Sequence, residues 1–362
     1  MHPEDFRDPL VARRLLERIA KKLASAARPL TLMEVCGTHT MAIQQHGIRS
    51  LLADGLRLIS GPGCPVCVTP VDYVNHALAL SRQPGIIVST FGDMLRVPGT
   101  RSSLLEEKAR GADIRTVYSP LDALGIARDN PRQQLIFLGI GFETTTPTVA
   151  GAVLQARKLG IENFSVLCAH KTMPAPMAAL SADPELQVNG YLCPAHVSAI
   201  IGADAYRPLA EKYRVACVVT GFEPLDILQG IEMLVEQIVA GESRVENQYR
   251  RYVAAGGNAR ARQLMETVFE PCDAAWRGLG RIPDSGMRLR QTFAGFDAAR
   301  RFAVPIEAAQ EPEGCLCGEV LKGKNGPRDC PLFGHQCTPQ NPVGACMVSS
   351  EGSCAAEYKY GL

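Results

Sequence analysis

The sequence predicts an α/β protein, with two tandem open parallel-sheet domains followed by a C-terminal helical and loop-rich domain. Three observations predict it. Between residues 31 and 220, short apolar runs alternate with stretches of helical periodicity, the signature of βα units whose strands are buried on both faces. Beyond Thr220 the runs give way to helical and then aperiodic sequence rich in Gly and Pro. The last 50 of the 362 residues hold six of the 13 cysteines, as Cys315-x-Cys317-x12-Cys330-x6-Cys337-x8-Cys346-x7-Cys354. Thiols that dense need a soft metal, disulfides or an iron–sulfur cluster to hold them.

Taken in order, Phe6–Ala27 has apolar residues at helical spacing (Leu10, Val11, Leu15, Leu16, Ile19, Leu23) and ends before Pro29, which reads as an amphipathic helix. Thr31–Val35, Leu56–Ile59, Ile86–Ser89, Ile114–Tyr118, Leu135–Ile140, Ser165–Ala169 and Val215–Thr220 read as buried parallel strands. Helices are expected between them at Thr40–Leu51, Val71–Leu80, Ser103–Arg110, Thr148–Leu159 and Ala205–Lys212. So many strands in about 200 residues call for two domains in tandem. Leu225–Ala240, Glu246–Ala255 and Ala259–Phe269 read as further helices, and from Pro271 periodicity is lost. Loops that long need an organising centre, which a bound cluster would supply. The division expected is 1–28 for the N-terminal helix, 29–119 and 120–222 for the two α/β domains, and 223–362 for the helical segment and the iron–sulfur cluster domain.

Met1–Arg28 is charged throughout, from Glu4 and Asp5 to Lys21 and Lys22, with no apolar core. No export signal is expected there, and the address expected is cytoplasmic. No window approaches the ~20 apolar residues of a membrane helix. In a reducing cytosol, clustered cysteines more often bind metal or do redox chemistry than form structural bridges. Net charge is +1 with both signs mixed, and there is one Trp. Neither an electrostatic footprint for nucleic acid nor a base-stacking platform is present.

The motifs fall at the expected carboxyl ends of strands, where open α/β sheets place chemistry. In Glu34-Val35-Cys36-Gly37-Thr38-His39-Thr40 a strand meets a glycine turn and a helix start. A helix N-terminus favours thiolate at Cys36, with His39 as proton carrier; a buried cysteine packing as a small hydrophobe is the bland alternative. Gly61-Pro62-Gly63-Cys64-Pro65-Val66-Cys67 sets a C-x2-C between strand and helix, the setting of a redox dithiol, with half of a zinc knuckle as the competing reading. Gly141-Phe142-Glu143-Thr144-Thr145 and Gly221-Phe222-Glu223-Pro224 are similar turns after strands, where Glu143 either carries protons or caps a helix. His170-Lys171 and Cys193-Pro194-Ala195-His196 are of suitable type but taken singly read as structural. No Walker A loop and no complete GxGxxG occurs. In the tail the spacings are looser than paired C-x2-C knuckles, so an iron–sulfur cluster leads over zinc.

Together, Cys36-Gly-Thr-His39, Gly61-Pro-Gly-Cys64-Pro-Val-Cys67, Gly141-Phe-Glu143-Thr-Thr and the tail from Gly314-Cys-Leu-Cys-Gly through Cys337-Thr-Pro to Pro342-Val-Gly-Ala-Cys346 and Cys354-Ala-Ala resemble the HypD family of [NiFe]-hydrogenase maturation factors. The resemblance runs from about Leu30 to the C-terminus. It implies a scaffold that, with the small chaperone HypC, assembles an Fe(CN)2CO unit. Cyanide would come from HypE, with HypF upstream, and the hydrogenase large subunit would be served indirectly. By the same resemblance, Cys36 holds the iron, Cys64 and Cys67 form the redox dithiol, and Cys315, Cys330, Cys337 and Cys354 hold one [4Fe-4S] cluster. Cys317 and Cys346 are the less favoured ligands, while His39 and Glu143 are candidates for moving protons. Two other classes fit the residues: an iron–sulfur thiol–disulfide oxidoreductase of ferredoxin–thioredoxin reductase type, and a zinc-stabilised interaction protein.

Overall fold

The computed structural model describes residues 6–361, so Glu4 and Asp5 of the charged N-terminal stretch lie outside the described residues. The first helix, Pro9–Leu23, starts where Pro9 fixes the first turn and the Asp8 carboxylate accepts the Leu10 and Val11 N–H groups. Its stripe of Leu15, Ile19 and Leu23 is buried against Leu228, Ile231 and Val235 of the helix Pro224–Val239. Arg18–Glu232 (2.6 Å) and Lys22–Glu236 (2.6 Å) ion pairs flank that seam.

Nine parallel strands follow: β1 (Leu30–Glu34), β2 (Leu56–Ser60), β3 (Ile86–Thr90), β4 (Ile114–Thr116), β5 (Gln134–Gly141), β6 (Phe164–His170), β7 (Gly190–Pro194), β8 (Ala216–Thr220) and β9 (Val245–Asn247). They form two open sheets, one in the order β2-β1-β7-β8-β9 and the other β4-β3-β5-β6. Strands covered by helices on both faces must be apolar throughout, and in β5 Leu135, Ile136, Phe137 and Leu138 are all fully buried. Each such side chain contributes about 1.5–3 kcal/mol by leaving water.

The sheets do not follow chain order. β1 and β2 are separated from β7, β8 and β9 by the entire second sheet, so a cut between residues 119 and 120 divides that second sheet between β4 and β5. Periodicity identifies a strand but not its neighbour, and consecutive strands pair only about two-thirds of the time.

Two expectations for the later chain fail. The helix expected over Glu246–Ala255 is instead the short edge strand β9 followed by turns, with Val245 and Glu246 paired to Cys217 and Val218 of β8. The segment beyond Pro271 is not aperiodic: β10 (Phe269–Trp276) and β11 (Gly280–Leu289) make an antiparallel hairpin, bulged between Cys272 and Ala274. From residue 302 onward the chain is loop-rich, with short helices at Cys317–Leu321 and Ser353–Tyr360. The latter packs on the helix Gly37–Gln45, where the Gln44 amide donates to Glu357 (2.6 Å).

Candidate functional site

Because β2, β1, β7 and β8 are parallel neighbours, the residues that leave their carboxyl ends emerge along one edge. Cys36 follows β1, the Gly61–Cys67 loop follows β2, His196 follows β7 and Gly221-Phe222 follow β8. Cys36 caps the helix Gly37–Gln45 with extended backbone (φ −151°, ψ 124°) and is buried. The Gly37 N–H donates to Gly63 O (3.2 Å), and a Cβ on Gly63 would overlap the backbone of Cys36, so the two motifs meet backbone to backbone. Glycine at 63 is what permits that approach.

The imidazole next to the Cys36 thiol belongs to His196, whose Nδ1 lies 3.8 Å from Sγ. His39 is turned elsewhere. Its Nε2–H donates to Gly221 O (2.9 Å) and Thr220 O (3.2 Å), tying the helix to the end of β8, while Nδ1 is buried without a partner. Burial lowers both imidazoles to about 4, so both are neutral. The helix N–H groups of His39 and Thr38 favour a Cys36 thiolate as expected, but burial outweighs them and pushes the thiol up to about 12. A metal ion would replace that proton.

Two carboxylates flank the thiol. Glu34 is fully buried within β1; it accepts from Thr40 Oγ1 (2.6 Å) and the Cys36 N–H (3.1 Å), and burial raises it to about 7. Glu351 arrives from the tail, accepts from Thr38 Oγ1 (2.9 Å) and is raised by burial and by Asp93.

Cys64 and Cys67 are joined as a disulfide with Cα atoms 5.2 Å apart. Cys64 caps the short turn Pro65–Val68, and the Cys67 N–H donates to its sulfur (3.2 Å). The Cys67 sulfur lies 3.9 Å from Ala345 O, one residue before Cys346.

The tail cysteines gather on this same core. Cys317 Sγ is 2.8 Å from Cys346 Sγ, and Cys354 lies beside Cys346. Cys337 Sγ accepts the Val343 N–H (3.3 Å), and a Cβ on Gly344 would stand 2.7 Å from Cys315 Sγ. Cys64, Cys67, Cys317, Cys337, Cys346 and Cys354 share one buried cluster, with Cys315 packed against it. Among the described residues, no group of three or more His, Cys, Asp or Glu converges on a single ion.

Glu143 follows β5 in the second sheet. Its Oε1 accepts the Met173 N–H (2.9 Å), its Oε2 is buried without a partner, and burial raises it to about 7. The neighbouring Phe142 stacks on Trp276 (6.0 Å) and belongs to the core that holds the disulfide. Lys171 donates to Ala275 O (2.6 Å) and packs on Trp276, while Cys193 is a buried core residue beside Cys217.

Fold and site together define an α/β protein rich in buried sulfur: a thiol facing an imidazole, a C-x2-C disulfide and, in the same core, five of the six tail cysteines. Comparison with known proteins is in keeping with that class. The HypD family model, described as "Hydrogenase formation hypA family", matches residues 10–361. The chain is 51% identical over 365 residues to the hydrogenase maturation factor HypD of Azotobacter vinelandii, covering 99% of this chain and 96% of that one. It is 46% identical over 365 residues to the factor of the same name from Escherichia coli (strain K12), covering 99% and 97%. The chain belongs to the HypD family. Among the described residues no helix is long and apolar enough to cross a membrane.

Proposed function

We propose that this chain is a cytoplasmic hydrogenase maturation scaffold that holds iron at Cys36 while the Fe(CN)2CO unit is built, in company with a HypC-type chaperone and with cyanide delivered by HypE. The observation that carries the reading is the junction of Cys36, His196 and the Cys64–Cys67 disulfide at one sheet edge. Low-spin iron with diatomic ligands suits soft thiolate donors. Cys36 gives up its proton to bind the metal, and His196 Nδ1 stands 3.8 Å away to receive it. Glu34 fixes the Cys36 backbone from below.

Releasing cyanide from a HypE-bound thiocyanate breaks a sulfur–carbon bond and consumes two electrons and a proton. The reduced Cys64–Cys67 pair, a thiolate and a thiol, supplies both electrons at once by closing its S–S bond and gives up the one proton that the reaction consumes. Glu143, raised to about 7, can exchange a proton near neutral pH.

The tail suits a [4Fe-4S] centre. The family resemblance assigns Cys315, Cys330, Cys337 and Cys354 to hold it, and Gly344 keeps space at the Cys315 sulfur. Such a centre, when bound, supplies electrons singly.

The test is an infrared spectrum of the anaerobically purified chain, co-expressed with its small chaperone. Two metal-cyanide bands and one carbonyl band, lost in Cys36→Ala, are expected. A silent window beside an intact cluster and a titrating dithiol would favour the disulfide reductase reading, which the contact of Cys67 with the tail also supports.

A further inference from the structure

The turn between β10 and β11 carries a buried cation that no step above uses. The Arg277 side chain is 1% exposed. Its backbone N–H donates to Val68 O (2.9 Å) and its Nε–H to Thr69 O (3.0 Å), so it caps the carboxyl end of the turn that bears Cys64 and Cys67. Nη1 pairs with Glu311 (2.8 Å), and Nη2 is buried with no partner. The next residue, Gly278 (φ +79°), lies flat on Gly318, where a Cβ would stand 2.7 Å from Gly318 O. Arg277 therefore sits where the dithiol turn, the hairpin and the Cys317–Gly318 segment of the tail meet.

We propose that Arg277 is a positioning residue of the redox site, clamping the Cys64–Cys67 turn to the cysteine tail and raising the reduction potential of that dithiol with its buried charge. The inference rests on the redox reading of Cys64 and Cys67. The disulfide is neutral, whereas the opened pair places negative charge on Cys64, where the Cys67 N–H already points at the sulfur. A guanidinium held one turn away in a water-poor core stabilises only the reduced form. Glu311, half-exposed, offsets part of that charge.

The experiment equilibrates the full-length chain, cluster in place, with dithiothreitol buffers. The Cys64–Cys67 bond opens on taking two electrons and one proton, leaving Cys64 as thiolate, while dithiothreitol gives up two electrons and two protons, closes to its ring disulfide and passes the second proton to the buffer. The two states are then read by thiol alkylation and mass spectrometry of the peptide carrying both residues. Arg277→Gln is expected to lower the equilibrium constant for reduction about tenfold, which is about 30 mV for this two-electron couple. Arg277→Lys, which keeps the charge, should stay within a few-fold of wild type. Glu311→Gln should shift the constant the opposite way, and it alone decides the matter if Arg277→Gln does not fold. Unmoved constants in Arg277→Gln and Glu311→Gln would overturn the inference. A wild-type pair that never exchanges with the buffer would instead remove the redox reading on which it rests.

Discussion

Replacing Gly37 by Ala sets two effects against each other. Gly37 opens the helix Gly37–Gln45, and alanine inside a helix is worth up to about 1 kcal/mol over glycine. Against that, a Cβ at this position would overlap the Glu351 side chain and lie 2.7 Å from the Glu351 carbonyl oxygen, nearer than the 3.0 Å floor that real Cβ contacts observe. The clash is with backbone, which rotamer changes cannot relieve, so the tail must retreat by a few tenths of an ångström. Overpacking of this kind costs about 1–3 kcal/mol and wins over the helix gain. Gly151, within the helix Thr146–Leu159, is the control, because a Cβ there meets nothing within 4 Å. Gly151→Ala should stabilise by about 0.5–1 kcal/mol. Denaturant midpoints of the two variants should therefore move in opposite directions. Glu351 lies between Cys346 and Cys354, so Gly37→Ala should also weaken the brown absorbance of the proposed cluster. A Gly37→Ala protein as stable as wild type, with its colour intact, would show that the tail is not seated on the Cys36 motif as described.

Replacing His196 by Ala should remove the iron-cyanide bands while leaving the dithiol titratable; retention of the bands would leave His196 outside the site. His39→Ala should act on stability instead, costing about 2–4 kcal/mol in denaturant melts for the lost hydrogen bonds and the cavity left behind. Glu143 is raised from 4.5 to about 7 in the fold, so its contribution is fully present below about pH 4.5 and is lost as pH rises through about 7. The histidines lowered to about 3 to 4 pull the other way as pH falls below about 6.5. The readout is therefore a difference: Glu143→Gln should gain on wild type between about pH 5 and about pH 8, by up to about 3 kcal/mol. A pH-independent difference would refute the burial argument. Cys317→Ser should keep the brown cluster colour and Cys330→Ser should lose it, and the reverse would reassign the ligands.

Much of the fold was legible because burial leaves a local mark. β1, β3 and β5 are mostly apolar and buried, and the Cys36 and Cys64–Cys67 motifs lie at the strand ends where the alternation put them. β7 escaped notice because Gly190-Tyr-Leu-Cys-Pro194 begins and ends in strand breakers, and only its place between β1 and β8 makes it a strand. The β10–β11 hairpin is bulged between Cys272 and Ala274, which breaks its alternation. The same limit applies to the site. His39 was conspicuous by proximity in sequence, yet the imidazole against Cys36 comes from 160 residues away. Only the pairing of β7 with β1 brings His196 there, and pairing leaves no local trace. Glu34, a charge in the middle of an apolar run, was the one signal that read correctly would have marked the thiol's support.

The nesting of one sheet inside the other has a consequence for the nascent chain. After β2 leaves the ribosome, the strand that carries His196 to Cys36 starts only at Gly190, 130 residues after Ser60. At translation rates of about 5–20 residues per second, that is a delay on the order of 10 s. The sheet from β3 to β6 can form within this interval, whereas Cys36, Cys64 and Cys67 wait without their partners, and the tail that covers them is synthesised last. An unfinished chain thus has the thiols without the site, so whatever the completed site binds has to wait for the finished polypeptide.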